Sequence, residues 1–182
     1  AVLASKYIDD VVLTSNCPIC MKVAESMGVL VPFSRPARLS GDRVKSSAVI
    51  KHTVQYLKKQ GLDYEILVLL EPTSPLRTAD DIDSALEKMI TLKSKTIVSV
   101  CLAEDQHPEF MLKLVARHRL KPWLLPKFEG PRRQDLSEAY FQDGSIYISF
   151  IEEYMKLNLK SLYCKKRYLI SKLKNFHKQL VV

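Results

Sequence analysis

The chain has 182 residues, 47% of them hydrophobic and 26% charged, with a formal net charge of +8. This composition is typical of a folded globular protein and argues against a disordered or fibrous one, and the length suits a single domain. No apolar run approaches the roughly 20 residues that a membrane-spanning helix needs. The first residues show no secretory signal pattern, so we expect a cytoplasmic protein without a membrane span.

The positive charge is concentrated at the end of the chain. Residues 151–182 carry eight basic and two acidic side chains, so residues 1–150 hold only +2 of the net charge. A charge run of this kind is usually a solvated face, and we expect neither a nucleic-acid nor a membrane partner. We predict a folded domain over residues 1–150 and a basic, helix-like tail over residues 151–182.

Short β-branched runs alternate with longer amphipathic stretches, a pattern typical of strands and crossover helices. It predicts a three-layer α/β/α, Rossmann-like fold with a mostly parallel sheet. The predicted strands are residues 11–14, 29–33, 66–70, 96–101 and 145–149. One helix is predicted from Pro18 to about Met27. A second follows the loop of residues 40–42 and runs through Lys59, and a third starts at Asp80. Because residues 66–70 are apolar throughout, we expect that strand at the centre of the sheet. Residues 104–143 are predicted to form an irregular insertion.

The four cysteines include one CxxC pair, Cys17 and Cys20, in addition to Cys101 and Cys164. This spacing is used both by zinc sites and by redox-active thiols. A structural zinc site needs four ligands, and the sequence has no second closely spaced pair to complete one. We therefore expect reduced thiols near a helix start and no metal.

Three polar segments should meet at the carboxyl ends of the predicted strands, where open α/β sheets bind ligands. They are Arg35 with Asp42 and Ser46, residues 71–77, and Arg133 with Gln134 and Tyr147. Arginine binds phosphate or carboxylate through two parallel hydrogen bonds, which suits a nucleotide or an acidic sugar. Spacing alone leaves open whether these arginines are instead surface ion-pair residues.

The same three segments carry a resemblance to a known family. Residues 69–83 read LLEPTSPLRTADDID, residues 35–42 read RPARLSGD, and residues 132–149 read RRQDLSEAYFQDGSIYIS. They are similar, in the same order, to LLQPTSPLRT, RPxxLAxD and RQxLPxxYxxNGAIYI of the acylneuraminate cytidylyltransferases. The resemblance implies transfer of CMP from CTP to an acidic sugar such as N-acetylneuraminate, with release of pyrophosphate. It also implies Mg²⁺ as cofactor and a homodimer, with the contact in residues 104–134.

Site roles follow from the resemblance position by position, and no catalytic residue is assigned. The expected sugar-side residues are Glu71, Arg133, Gln134 and Tyr147, although Tyr147 could simply pack in the core. The expected nucleotide-side residues are Arg35, Asp42, Ser46, Thr73, Ser74 and Arg77. Two other functions stay open: a synthetase for Kdo or another nonulosonic acid, and an inactive chain that binds sugar or assembles with an intact subunit.

The chain departs from the family pattern in two places. No segment matches the opening ARxxSKGxPxKN phosphate loop, and no aspartate follows Asp143, where the family carries the DID motif that binds Mg²⁺. We therefore expect the family's segment before Ala1 to be missing, with its strand, and the chain alone to be inactive. Glu71 and Asp143 also replace Gln and Asn, which should add negative charge to the pocket.

Overall fold

A computed structural model describes residues 1–104, 106–124, 132–156 and 169–172, the last of these as backbone only. The helices are α1 Pro18–Ser26, α2 Ser46–Lys59, α3 Ala79–Thr91 and α4 Ile151–Lys156. The strands are β1 Ile66–Leu69, β2 Thr96–Leu102, β3 Leu112–Ala116, β4 Arg119–Pro122, β5 Tyr140–Phe150 and β6 Leu169–Lys172.

Local signals place the helices where they were predicted. Pro18 occupies the first turn of α1, and Gly28, with φ of 78°, follows its end. Such a left-handed backbone favours glycine, which lacks the Cβ that would clash there. The start of α3 is a capping box in which Thr78 and Asp81 each bind the backbone N–H of the other.

The main sheet has the order β1-β5-β2-β6, and β5 runs antiparallel to both of its neighbours. Only β6 lies parallel to β2. The prediction of a mostly parallel, Rossmann-like sheet is therefore wrong for the part of the chain that the structure describes. Parallel neighbours need a crossover connection, usually a helix. Between β2 and β5 the described residues form short turns and a hairpin, which return the chain in the opposite direction.

Two further strand predictions are corrected. Residues 11–14 and 29–33 form no regular strands but are joined by an isolated parallel bridge from Val12 to Leu30, and a second bridge, from Ser15 to Ser34, follows directly after them. The apolar strand β1 lies at one end of the sheet order rather than in the middle, and all four of its residues are half-buried. An apolar run alone does not distinguish an edge strand packed under other elements from a central one.

The core lies between α3 and the sheet. Helix α3 packs one face onto β2 and β5, where Ile97, Ile146 and Ile148 are almost fully buried. The buried α3 residues are Ile82, Ala85, Leu86 and Met89, the face predicted from helical spacing. The first residues of the chain also dock on α3, because the Asp83 carboxylate accepts hydrogen bonds from the Ser5 hydroxyl and the Lys6 backbone.

The predicted irregular insertion contains regular structure. Strands β3 and β4 pair as an antiparallel hairpin, and every residue of both strands is exposed. Leu114 and Leu120 lie opposite each other with 69% and 58% of their surfaces exposed, followed by Trp123 at 59%. The hairpin therefore presents an apolar surface that no other described residue covers.

Candidate functional site

The candidate site is built around an irregularity in the pairing of β2 and β5. The register changes at Ser99, so that residues 143–146 of β5 lie opposite this single residue of β2. We call residues 143–146 the β5 arch. Gly144 sits within it with φ of 78°, a conformation that few other residues adopt without strain. Bulges of this kind are frequent beside binding sites because they redirect side chains out of the sheet.

Side chains replace the backbone pairing that the arch loses. The Ser99 hydroxyl donates to the Asp143 carboxylate and accepts from the Ile146 N–H at 2.8 Å. The same Asp143 oxygen accepts from the Ser145 N–H at 2.9 Å. Cys101 Sγ lies 3.7 Å from the other Asp143 oxygen. Asp143 is therefore occupied in holding the arch.

Arg77 fastens the loop of residues 71–77 to the arch. Its Nη1 donates to the Ser145 carbonyl, and its Nη2 donates to the Glu71 carbonyl at 3.2 Å. Burial lowers the pKa of the Arg77 guanidinium, while the Asp143 and Asp81 carboxylates act in the opposite direction. The residue stays charged because an arginine pKa lies far above neutral. The observed contacts of Arg77 position the loop. The contact of Arg77 with a nucleotide stays a prediction.

Tyr147 and Glu71 come from neighbouring elements at the same end of the sheet. Tyr147 pairs with Leu69 of β1, two residues before Glu71. A side chain at position 144 would place its Cβ 3.9 Å from the Tyr147 hydroxyl, so this phenol lies against the arch. Both residues are half-buried. The structure thus brings together Glu71, Arg77 and Tyr147, and their predicted contacts with substrate are not tested by it.

Arg35 lies in a second group of contacts, beside the bridged segments. Its Nη2 donates to the Thr14 carbonyl at 2.7 Å, and its backbone N–H donates to the Ser15 carbonyl at 2.8 Å. Arg35 Nε is buried and has no hydrogen-bond partner among the described residues, and the same holds for Thr14 Oγ1. Buried polar groups are usually paired, so this pair of atoms is suited to a ligand or a bound water.

The remaining predicted residues lie on exposed or half-buried turns. Asp42 is exposed in the turn that precedes α2, and Ser46 is the first residue of that helix. In the loop of residues 71–77, Thr73 is exposed, and the Ser74 N–H reaches the Glu71 carbonyl at 3.4 Å. Arg133 and Gln134 are exposed in a short 3₁₀ helix, Arg133–Asp135.

The structure adds Ser99 and Thr14 to the residues of interest. Ser99 is buried with 2% of its surface exposed, in a strand whose other residues are apolar or sulfur-containing apart from Thr96. A lone serine in such a run was the available signal, but its partner Asp143 is 44 residues away. Thr14 contributes a backbone carbonyl, and no sequence pattern marks that role.

Comparison with known proteins finds relatives of one kind. The chain is 30% identical over 145 residues to a pseudaminic acid cytidylyltransferase of Campylobacter jejuni, an alignment that covers 80% of this chain and 62% of that relative. The chain is thus similar over most of its length to a cytidylyltransferase of a nonulosonic acid. It is also 27% identical over 167 residues to an N-acylneuraminate cytidylyltransferase of Streptococcus agalactiae, covering 92% of the chain and 38% of the relative.

A third relative leads to the same family. The N-acylneuraminate cytidylyltransferase of Escherichia coli is 28% identical over 156 residues, which are 85% of the chain and 35% of that protein. The chain therefore spans less than two thirds of the length of these relatives. No protein-family model matches it. In the described part of the chain, no helix is long and apolar enough to cross a membrane.

Proposed function

We propose that this chain is part of an enzyme that transfers CMP from CTP to the anomeric hydroxyl of a nonulosonic acid and releases pyrophosphate. The observation that carries the proposal is the 30% identity over 145 residues to a pseudaminic acid cytidylyltransferase. The two other relatives are named for N-acylneuraminate, and this agreement in chemistry favours an acidic sugar as acceptor. Because CTP is a cytoplasmic metabolite, the proposal includes a cytoplasmic location.

The proposal divides the substrates between two groups of residues. Arg35, whose buried Nε has no partner among the described residues, would bind the nucleotide together with the turn that carries Asp42 and Ser46. Arg133 and Gln134, which are exposed before β5, would bind the sugar together with the half-buried Tyr147 and Glu71. A guanidinium suits either the triphosphate or the sugar carboxylate, because it forms paired charged hydrogen bonds with both.

The loop of residues 71–77 would place Thr73 and Ser74 toward the nucleotide. We assign Arg77 to positioning, since both of its observed hydrogen bonds go to backbone carbonyls. Held in this way, the loop and the β5 arch form one rigid unit. A preorganised pocket loses less conformational freedom when a ligand binds, which strengthens binding without any new contact.

Mg²⁺ is the cofactor that the family resemblance implies. Among the described residues, however, no group of three or more acidic, histidine or cysteine side chains could hold a metal ion. The Asp143 carboxylate is occupied by Ser99, Ser145 and Cys101. The part of the chain that the structure describes thus does not fit the ion, and no step of the proposal is assigned to it.

Binding measurements with single substrates test the proposal. In calorimetry, the chain should bind CTP more tightly than ATP, and a nonulosonic acid more tightly than a neutral sugar. A charged hydrogen bond contributes about 1.5 to 3 kcal/mol, roughly ten-fold to a hundred-fold in affinity. Arg35→Ala should therefore weaken CTP binding and leave the sugar unaffected, whereas Arg133→Ala should do the reverse.

The exposed Arg38, next to the bridged segments, provides the matched control, because Arg38→Ala should change neither affinity. Comparing pseudaminic acid, N-acetylneuraminate and Kdo identifies the acceptor. Equal binding of CTP and ATP, or no binding of any acidic sugar, would overturn the proposed function. A loss of the same substrate in both arginine variants would overturn the assignment of the two sides.

The proposal includes a homodimer formed through the β3–β4 hairpin. The supporting observation is the apolar surface of Leu114, Leu120 and Trp123, which the described residues leave uncovered. Such patches on a folded chain usually mark a protein contact.

A further inference from the structure

The sequence Cys17-Pro18-Ile19-Cys20 forms the start of α1 and has no role in the proposed site. Cys17 is the N-cap residue, Pro18 is the first residue of the helix, and Cys20 is the third. Residues three apart at a helix start lie on the same face, with Cβ atoms about 5 to 6 Å apart. A disulfide needs Cα atoms closer than about 7 Å and Cβ atoms about 3.5 to 4.5 Å apart, so a small shift of the first turn would bring the two sulfurs within bonding reach.

The two thiols already interact. The Cys20 backbone N–H donates to Cys17 Sγ over 3.4 Å. Interaction with Cys20, first with its side chain and then with its backbone N–H, holds the pKa of the Cys17 thiol below its usual value. The pKa of the Cys20 thiol is raised, chiefly by its interaction with the Cys17 side chain. Cys17 is thus the more readily ionised member of the pair, as its place at a helix N-terminus also favours.

The pair is accessible, and its surroundings can adjust. Cys20 is exposed, Cys17 is half-buried, and both are free thiols. No residue of α1 is buried, and Ile19 and Val23 expose 74% and 54% of their surfaces. A shift in the first turn of this helix would therefore disturb little of the core.

Cys101 offers a contrast within the same chain. It is half-buried in β2, with its sulfur 3.7 Å from an Asp143 carboxylate oxygen. Burial, together with this negative charge, raises the pKa of the Cys101 thiol. A thiol in such a place forms little thiolate at neutral pH and reacts slowly.

We propose that Cys17 and Cys20 form a dithiol redox site that low-molecular-weight disulfides oxidise to an intramolecular disulfide. The Cys17 thiolate attacks one sulfur of the small disulfide, forms a mixed disulfide and releases the first small thiolate. Cys20 then loses its proton, attacks the Cys17 sulfur and releases the second. The two protein thiols are oxidised to one disulfide while the small disulfide is reduced to two thiols. Disulfides of this reversible kind are those that occur in the reducing cytosol.

Peptide mapping of the oxidised protein tests the site directly. The protein is equilibrated with mixtures of oxidised and reduced glutathione, quenched in acid, alkylated and digested with trypsin. Cleavage after Lys6 and Lys22 yields a peptide that contains Cys17 and Cys20, whereas Cys101 and Cys164 fall on other peptides. We expect this peptide to lose two hydrogens as the proportion of oxidised glutathione rises and to regain them on reduction.

Alkylation rates and single variants test the separate roles of Cys17 and Cys20, with Cys101 as the control. With limiting iodoacetamide at neutral pH, Cys17 should react about ten-fold faster than Cys101. Cys20→Ser should stop the reaction at a stable glutathione adduct on Cys17, because the second attacking thiol is missing. Cys17→Ser should abolish both the fast alkylation and the disulfide, and the control Cys101→Ser should leave both unchanged.

Two results would overturn the dithiol site. One is a Cys17–Cys20 peptide that stays in its dithiol form in oxidised glutathione. The other is a Cys17 that reacts no faster than Cys101. None of these measurements uses a nucleotide or a sugar, so their outcome is independent of the proposed transferase function.

Discussion

At the scale of single residues, Tyr154 shows what an unpaired buried group does to stability. The residue lies in α4 with 4% of its surface exposed, and its hydroxyl has no hydrogen-bond partner among the described residues. Burial raises the pKa of this phenol from 10.0 to about 12. An unsatisfied buried hydroxyl costs free energy because folding removes it from water without replacing its hydrogen bonds.

Tyr154→Phe should therefore leave the free energy of unfolding unchanged or raise it by about 1 kcal/mol at neutral pH. Its effect should also depend on pH. Between pH 10 and about 12 the unfolded tyrosine ionises and the folded one does not, so the wild-type protein loses stability as the pH rises through this window. Tyr154→Phe lacks the ionisable group and should lose less stability than the wild-type protein over this pH range.

Urea denaturation across this pH range provides the measurement. Tyr56→Phe, which removes a hydroxyl from a half-buried tyrosine of α2, is the matched control. If Tyr154→Phe lowered stability by more than 1 kcal/mol at neutral pH, the hydroxyl would have a partner and this interpretation of Tyr154 would be wrong.

Arg77 shows how much of the candidate site could be predicted from the sequence. Arg77 could be found from the sequence because it lies within a continuous recognisable segment. The bonds that define its role end on the Ser145 carbonyl, 68 residues away. Such a bond leaves no mark on side-chain identity at the accepting residue, because any residue supplies a backbone carbonyl.

At the scale of elements, the β5 arch depends on side chains rather than on the sheet ladder. Arg77 donates the hydrogen bond that joins the Ser145 carbonyl to the loop of residues 71–77. Arg77→Ala would leave two carbonyls without their charged donor, and a hydrogen bond to a charged group contributes roughly 1.5 to 3 kcal/mol. We expect a destabilisation of that order in urea denaturation.

Arg77→Lys should recover only part of this loss, because a single ammonium cannot reproduce the geometry of the guanidinium. Arg38→Ala, at an exposed arginine, should be neutral within about 0.5 kcal/mol and is the control. Hydrogen exchange in Arg77→Ala should rise in the loop and in the arch together. An increase confined to one of them would contradict the rigid unit.

Elements also differ in how far the sequence determines them. The helices were predicted well because their signals are local: Pro18 and Gly28 around α1, Thr78 and Asp81 before α3. The sheet was not, because pairing is decided between distant segments. The apolar run at residues 66–70 correctly predicted a strand, but the prediction of its central place in the sheet was wrong. The same apolar residues suit an edge strand that its neighbours half-bury.

At the scale of the whole molecule, the β3–β4 hairpin should determine the state of association. We expect a dimer in light scattering coupled to size exclusion, because burying Leu114 and Leu120 in a contact removes apolar surface from water. The double variant Leu114→Lys, Leu120→Lys should be monomeric and still unfold in one cooperative transition, since neither side chain is part of the core.

A second double variant, Ile19→Lys with Val23→Lys, changes equally exposed apolar residues on α1 and should remain dimeric. If the hairpin variant stayed associated, the contact would lie elsewhere. The outer edge of β1 would then be the first place to examine, because no described strand pairs with it and free strand edges promote association.

The β5 arch also constrains how the gene can change in length. Four residues of β5 face one residue of β2, so the segments on either side of the arch differ in register by three positions. If the arch kept its four residues, losing one codon in the strand beside it would shift the pairing partners and turn buried side chains toward the opposite face. Losing three codons within the arch would close it and restore a continuous ladder, at the cost of the side-chain bonds that now hold it. We therefore expect a three-codon deletion between Gln142 and Tyr147 to be tolerated better than a one-codon deletion in the paired part of β5, which a deletion library selected for soluble protein would reveal.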